Sequence, residues 1–225
     1  MSRVQRLLGS LVGKKVVMAA TGVILLGFVL AHMAGNLKVF QGPEHFNAYA
    51  EGLRTVGAPF FGRGQLLWAA RIILLAAVGL HIWAAWAVTR ASWAARPEGY
   101  KRLELIETTW AARTMRWGGL LIVAYVVYHL LDLTFGKANP SFVPGDVYHN
   151  LVASFSRTSV ALAYIAAVLV LAFHMYHGIY SAFQTLGLNH PKYNRWRRAF
   201  AAGYTLLVTA GFIAVPVAVL AGVVR

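Results

Sequence analysis

Five of the chain's eight histidines, His32, His81, His129, His174 and His177, fall inside long apolar stretches. An imidazole placed there either makes an interhelical hydrogen bond, worth roughly 0.6–2 kcal/mol, or serves a metal as a neutral nitrogen ligand. Ionisable groups at membrane depth are costly unless satisfied, so each is a functional-site candidate. The chain has no cysteine, which excludes disulfides, thiolate zinc sites, cysteine-held iron–sulfur clusters and covalent c-type haem attachment. Any metal must therefore be held by His, Met, Asp or Glu.

The stretches that carry these histidines define the fold. Of 225 residues, 59% are hydrophobic and 12% charged, against about 45–50% apolar and 25% charged in soluble domains. Crossing about 30 Å of hydrocarbon takes about 20 residues at ~1.5 Å each. Five stretches qualify, at approximately 15–37, 66–90, 115–136, 159–185 and 201–224. The spacing predicts an all-α integral membrane protein of five transmembrane helices, the first four forming a bundle. No repeat, low-complexity tract or second domain is visible, so residues 1–225 are read as one transmembrane domain. The apolar run from Val16 to Leu37 exceeds a signal-peptide core and lacks a small-residue cleavage site, so it is read as a retained helix.

The net charge of +14 belongs to the loops, which makes a membrane surface the expected partner and displaces nucleic acid. Fourteen of the 21 Lys and Arg lie on one side: Arg3, Arg6, Lys14, Lys15, Arg90, Arg96, Lys101, Arg102, Arg113, Arg116, Lys192, Arg195, Arg197 and Arg198. The other side holds Lys38, Arg54, Arg63, Arg71, Lys137, Arg157 and Arg225. Cytoplasmic loops carry the positive excess, so the N-terminus is expected in the cytoplasm and the C-terminus outside. The segment before the second span, with Phe46, Tyr49, Phe60 and Phe61, is expected to lie as an interfacial helix. Glu98, Glu104 and Glu107 in the 91–114 loop suggest a cytoplasmic extension of the second and third helices.

Depth orders the histidines. His32 stands about 17 residues, ~26 Å, from the inner start of the first helix, and His129 about 14 residues, ~21 Å, from that of the third. His81 and His174 stand about 9 and 11 residues, ~14 and ~17 Å, from the inner ends of the second and fourth. Four helices thus offer two pairs at two levels, the arrangement that two stacked bis-histidine haems require. His177 shares a face with His174 at i, i+3, and the pattern leaves open which of the two serves as ligand. Arg71, Arg157 and Lys38 at the outer end either pair with haem carboxylates or snorkel to the surface. Trp68, Trp93, Trp117 and Tyr204 read as interfacial belts.

Three motifs carry a resemblance: Met18-Ala-Ala-Thr-Gly22; Ala31-His-Met-Ala-Gly-Asn36 followed by Phe46-Asn-Ala-Tyr-Ala50; and Phe173-His-Met-Tyr-His-Gly178 running on to His190-Pro-Lys-Tyr193. The chain resembles the cytochrome b membrane anchors of succinate:quinone oxidoreductases, succinate dehydrogenase or fumarate reductase, of the single-polypeptide, five-helix, di-haem type. The resemblance implies two haem b groups, with His32 and His129 on the iron of an outer, distal haem and His81 and His174 on that of an inner, proximal one. It also implies a helix-four ligand four residues before a Gly, which Gly178-Ile179-Tyr180 satisfies for His174, leaving His177 as the alternative.

The implied function is anchoring and electron transfer, part of respiratory complex II and the tricarboxylic acid cycle, in the cytoplasmic membrane of a bacterium. A flavoprotein with FAD and an iron–sulfur subunit would dock on the cytoplasmic face, chiefly on Asn189 to Arg198 and Arg90 to Arg102, and this chain would pass electrons to menaquinone or ubiquinone, menaquinone being the expectation. Candidate quinone contacts are Ser10, Lys14 and Lys15 at the inner end, and Glu51 and Asp132 at the outer end. A higher oligomer of the heterotrimer is compatible with this reading. Two other readings stand beside it: a cytochrome b subunit of a hydrogenase or formate dehydrogenase, and a haem-free transporter or assembly protein.

Overall fold

Several helices begin at a side-chain cap or a proline. Ser10 Oγ accepts the Gly13 N–H at 3.0 Å, Asp146 accepts the His149 N–H at 2.9 Å, and His190 Nδ1 accepts the Lys192 N–H at 3.2 Å, each satisfying an otherwise orphaned donor. Pro43 and Pro191 open their helices at the first position, where a missing N–H costs nothing. The computed structural model describes residues 9–95 and 110–225. Its helices are α1 (Leu11–Asn36), followed by a 3-10 turn (Leu37–Gln41), α2 (Pro43–Thr55), α3 (Gln65–Ala94), α4 (Trp110–Leu133), α5 (Val147–Phe155), α6 (Thr158–Thr185) and α7 (Pro191–Leu220). Among the described residues there is no strand, and five helices, α1, α3, α4, α6 and α7, are long and apolar enough to cross a membrane.

Packing makes an arc in the order α3, α1, α6, α4, with α7 behind α1 and α6. Among the described residues α3 and α4 share no extended packed face, so the arc encloses an interior that is open on one side. Met33, Met175 and Val208 form a buried cluster where α1, α6 and α7 meet. Gly211 permits that approach, because a Cβ there would overlap the Met33 thioether. A second cluster, including Phe46, Leu151, Phe155, Tyr164 and Val215, ties α2 and α5 to the ends of α6 and α7. Fully burying one such side chain contributes roughly 1.5–3 kcal/mol.

The basic end of the molecule is where α1, α4 and α7 start and α3 and α6 finish; the far end carries α2 and α5. The segment expected at the interface contains α2 and the 3-10 turn. The fifth span is longer than expected, starting at Pro191 rather than at 201 and stopping at Leu220 rather than at 224. Its first turns are polar, so hydropathy does not count them, but Pro191 and the His190 cap start a helix regardless of polarity. The third span ends at Leu133 rather than at 136, where Gly136 takes φ +70° and a Cβ would overlap Phe142. Helix α5 was not expected from the sequence. Arg3, Arg6, Arg96, Lys101, Arg102 and the expected helical extension with Glu98, Glu104 and Glu107 lie outside the described residues, as does the side chain of Arg113.

Candidate functional site

The interior of the arc holds two pairs of facing imidazoles. His32 of α1 and His129 of α4 have ring centroids 5.9 Å apart with planes at 84°. His81 of α3 and His174 of α6 have centroids 6.3 Å apart with planes at 60°. An imidazole nitrogen binds a transition metal at about 2 Å. With the ring's own radius, two imidazoles on opposite sides of one metal place their centroids about 6 Å apart, the separation seen at both levels. His177 makes no ring contact with His81 among the described residues.

The levels are well separated. A Cβ on Gly119 would lie 3.9 Å from His174 Cε1, and His129 follows ten residues later on the same helix, about 15 Å along its axis. Among the described residues, no group of three or more His, Cys, Asp or Glu converges on a point. Two imidazoles leave most of a metal's coordination shell unfilled, and a macrocycle that brings its own four nitrogens completes it. Nδ1 of His129 and Nδ1 of His174 are buried without a partner. The donor set fits haem iron at each level.

The surroundings differ between the pairs. His81 Nδ1 lies 3.1 Å from the Met18 carbonyl and 3.1 Å from Thr21 Oγ1, while Thr21 donates to the Val17 carbonyl at 2.8 Å. A carbonyl only accepts, so Nδ1 carries the proton and Nε2 keeps its lone pair for a metal. Beside His174 an apolar cavity of about 180 Å³ opens between α4 and α6, lined by Gly118, Leu121, Val170 and Phe173 among others. At the other level His32 stacks on Phe28 at 5.3 Å and meets Phe212 at 5.9 Å. His129 lies between Tyr125 and Tyr164, both at 5.9 Å.

The carboxylate one turn beyond His129 is fully engaged. Asp132, 0% exposed, accepts from Arg157 Nη2 at 2.8 Å, from the Tyr164 hydroxyl at 2.9 Å, and from the Ser154 hydroxyl. The expected quinone contacts are therefore dispersed. Ser10 caps α1, Lys14 is half-buried and Lys15 exposed at the basic end, and Glu51 pairs with Arg54 at 3.3 Å and Arg63 at 2.5 Å on the far surface. Arg157 is bound to Asp132, Lys38 stands over the Tyr49 ring at 5.3 Å, and Arg71 over Trp68 at 4.9 Å.

Residues 189–198, expected as a loop whose basic surface meets the iron–sulfur partner, are helical from Pro191 on, and of their basic residues Arg197 is not part of the exposed surface. Arg197 is only 4% exposed, because its guanidinium folds onto Tyr180 of α6. Sequence reading quoted Thr21 only within the Met18–Gly22 motif, without a role of its own, and missed Tyr125 and Tyr164. For Thr21 a signal existed: it stands eleven residues, three helical turns, before His32, on the same face of α1.

A helical membrane protein with paired histidines inside its bundle is the class that fold and site define. Residues 97–215 match the family model of the succinate dehydrogenase/fumarate reductase transmembrane subunit, more than half of the chain. The chain belongs to that family and is a membrane subunit of that enzyme complex. No curated protein and no solved structure matches it.

Proposed function

We propose that this subunit is the single-polypeptide, di-haem cytochrome b of a succinate:quinone oxidoreductase in a bacterial cytoplasmic membrane, with its N-terminus in the cytoplasm. The observation that supports it is the pair of facing imidazoles at each of two levels, 5.9 and 6.3 Å between centroids. Haem bound there would supply one-electron redox chemistry between an iron–sulfur cluster and a quinone. His32 and His129 hold the outer group, and His81 and His174 the inner one. The Met18 carbonyl fixes the tautomer of His81, and the aromatic wall of Phe28, Phe212, Tyr125 and Tyr164 keeps water from the outer pair.

The basic end, with exposed Lys15, Arg90, Arg195 and Arg198, receives the iron–sulfur subunit, which carries the FAD-bearing flavoprotein. Electrons pass along the bundle to a quinone, menaquinone in this reading. Succinate itself is handled by the partner subunits.

The test is a reduced-minus-oxidised spectrum with haem quantification on the purified chain. Two b-type haems per chain are expected, with loss in His32→Ala, His81→Ala, His129→Ala and His174→Ala and retention of both in His177→Ala. A folded preparation without haem overturns the reading.

A further inference from the structure

The Nδ1 of His129 is buried with no hydrogen-bond partner among the described residues, whereas His81 on the other level has the Met18 carbonyl against its Nδ1. The orientation of His129 therefore rests on the rings packed against it, chiefly Tyr125 and Tyr164, each at 5.9 Å. Tyr164 is the anchored one. It is 4% exposed, its ring also meets Phe155 at 4.9 Å, Tyr125 at 5.2 Å and Tyr128 at 6.0 Å, and its hydroxyl donates to Asp132 Oδ2 at 2.9 Å. Asp132 is held in turn. Arg157 Nη2 donates to its Oδ1 at 2.8 Å while Nη1 of the same guanidinium donates to the Ala138 carbonyl at 3.0 Å, and the Ser154 hydroxyl donates to Oδ2.

Hydrogen bonds to an ionised acceptor are roughly twice as strong as neutral ones, so the carboxylate dictates where the phenol sits. The spacing turns these contacts into a relay: Asp132 follows His129 by three residues on one face of α4, and Tyr164 follows Arg157 by seven, two turns, on one face of α6. A carboxylate kept only to join α4 to α6 is satisfied by Arg157 and Ser154; its third donor comes from a ring that touches His129. Resting on the haem reading above, we infer that Tyr164 is a positioning residue for His129, held by Asp132 and its ion pair with Arg157, and that it fixes the angle between the His129 and His32 planes. That angle is 84°, against 60° between His81 and His174.

The experiment is electron paramagnetic resonance of the oxidised complex purified from membranes, with haem content measured on the same samples. The low-spin signal of an iron held by two imidazoles depends on the angle between their planes, and the outer signal is the one missing from His32→Ala. Tyr164→Phe, which keeps the ring and removes the hydroxyl, should move the outer signal and leave the inner one. Asp132→Asn, which keeps an acceptor oxygen but loses the ion pair, should move the outer signal less. Tyr128→Phe, which removes a hydroxyl from the same aromatic cluster without touching the bond to Asp132, should move neither. Two haems per chain with an unmoved outer signal in Tyr164→Phe overturn the inference alone. An equal shift in Tyr128→Phe, or loss of both haems from Tyr164→Phe, overturns it in favour of general packing. Loss of the outer haem alone from Tyr164→Phe, with both retained in Tyr128→Phe, supports it. Absence of haem from the unaltered complex overturns the haem reading and this inference together.

Discussion

The Met18 carbonyl oxygen of α1 lies 3.1 Å from Nδ1 of His81 on α3, so one helix's backbone sets the tautomer and tilt of the neighbouring helix's histidine. The backbone group cannot be removed by substitution, but the space beside it can be filled. A Cβ on Gly22 would rest 3.5 Å from His81 Cε1, ordinary contact. On the di-haem proposal, Gly22→Ala should therefore keep both haems, while Gly22→Leu should displace the ring and lose the inner haem, leaving the outer one. Haem quantification with potentiometric titration distinguishes the two; equal haem content in both variants would remove the steric argument.

Asp132 and Arg157 join α4 to the start of α6 through a pair whose acid is wholly buried. Arg157→Ala leaves that carboxylate without its cation, and should destabilise the protein by about 3–5 kcal/mol, the range for breaking a buried pair. Asp132→Asn combined with Arg157→Ala removes the uncompensated charge as well, so the double variant should be less damaged than Arg157→Ala alone. Thermal unfolding in one detergent tests the order, and strictly additive losses would contradict it.

Asp146, at the far end, accepts the N–H of His149 and the Asn47 side-chain amide, and these bonds hold its carboxyl below the usual carboxylate range. A depressed acid contributes stability above its unfolded pKa of about 3.9, and that stability is lost as pH falls through the lower folded value. The junction of α2 and α5 should therefore open in acid below about pH 4. Asp146→Asn should flatten that dependence. Hydrogen exchange of the amides of α5, corrected for intrinsic rates, reads it, and the same acid limb in the variant would assign the opening to another group.

Hydropathy and charge made much of this molecule legible. Five apolar runs of sufficient length require five spanning helices, because a lipid-facing backbone must satisfy its own hydrogen bonds. Counting residues along those runs put His32 with His129 and His81 with His174 in depth, since the helical rise is fixed at about 1.5 Å. The start of α7 was misjudged because polar residues hide a helix that leaves the hydrocarbon, and α5 was missed because nine residues form too short a helix to stand out.

Which way each side chain faces was a different matter. Spans such as α3 bury little more than Ala77 and Ala84 and are apolar on nearly every side, so periodicity carries almost no signal about rotation. The sequence by itself determined the number of spanning helices, their approximate extents and the position of each imidazole along its helix. The tertiary structure shows His174 rather than His177 in ring contact with His81, and it alone decided that Met18 orients that ring, that Tyr125 and Tyr164 flank His129, and that Arg197 is buried with no carboxylate paired to it among the described residues. Those outcomes depend on the rotation and contact of helices far apart in the chain, which no local pattern of residues encodes.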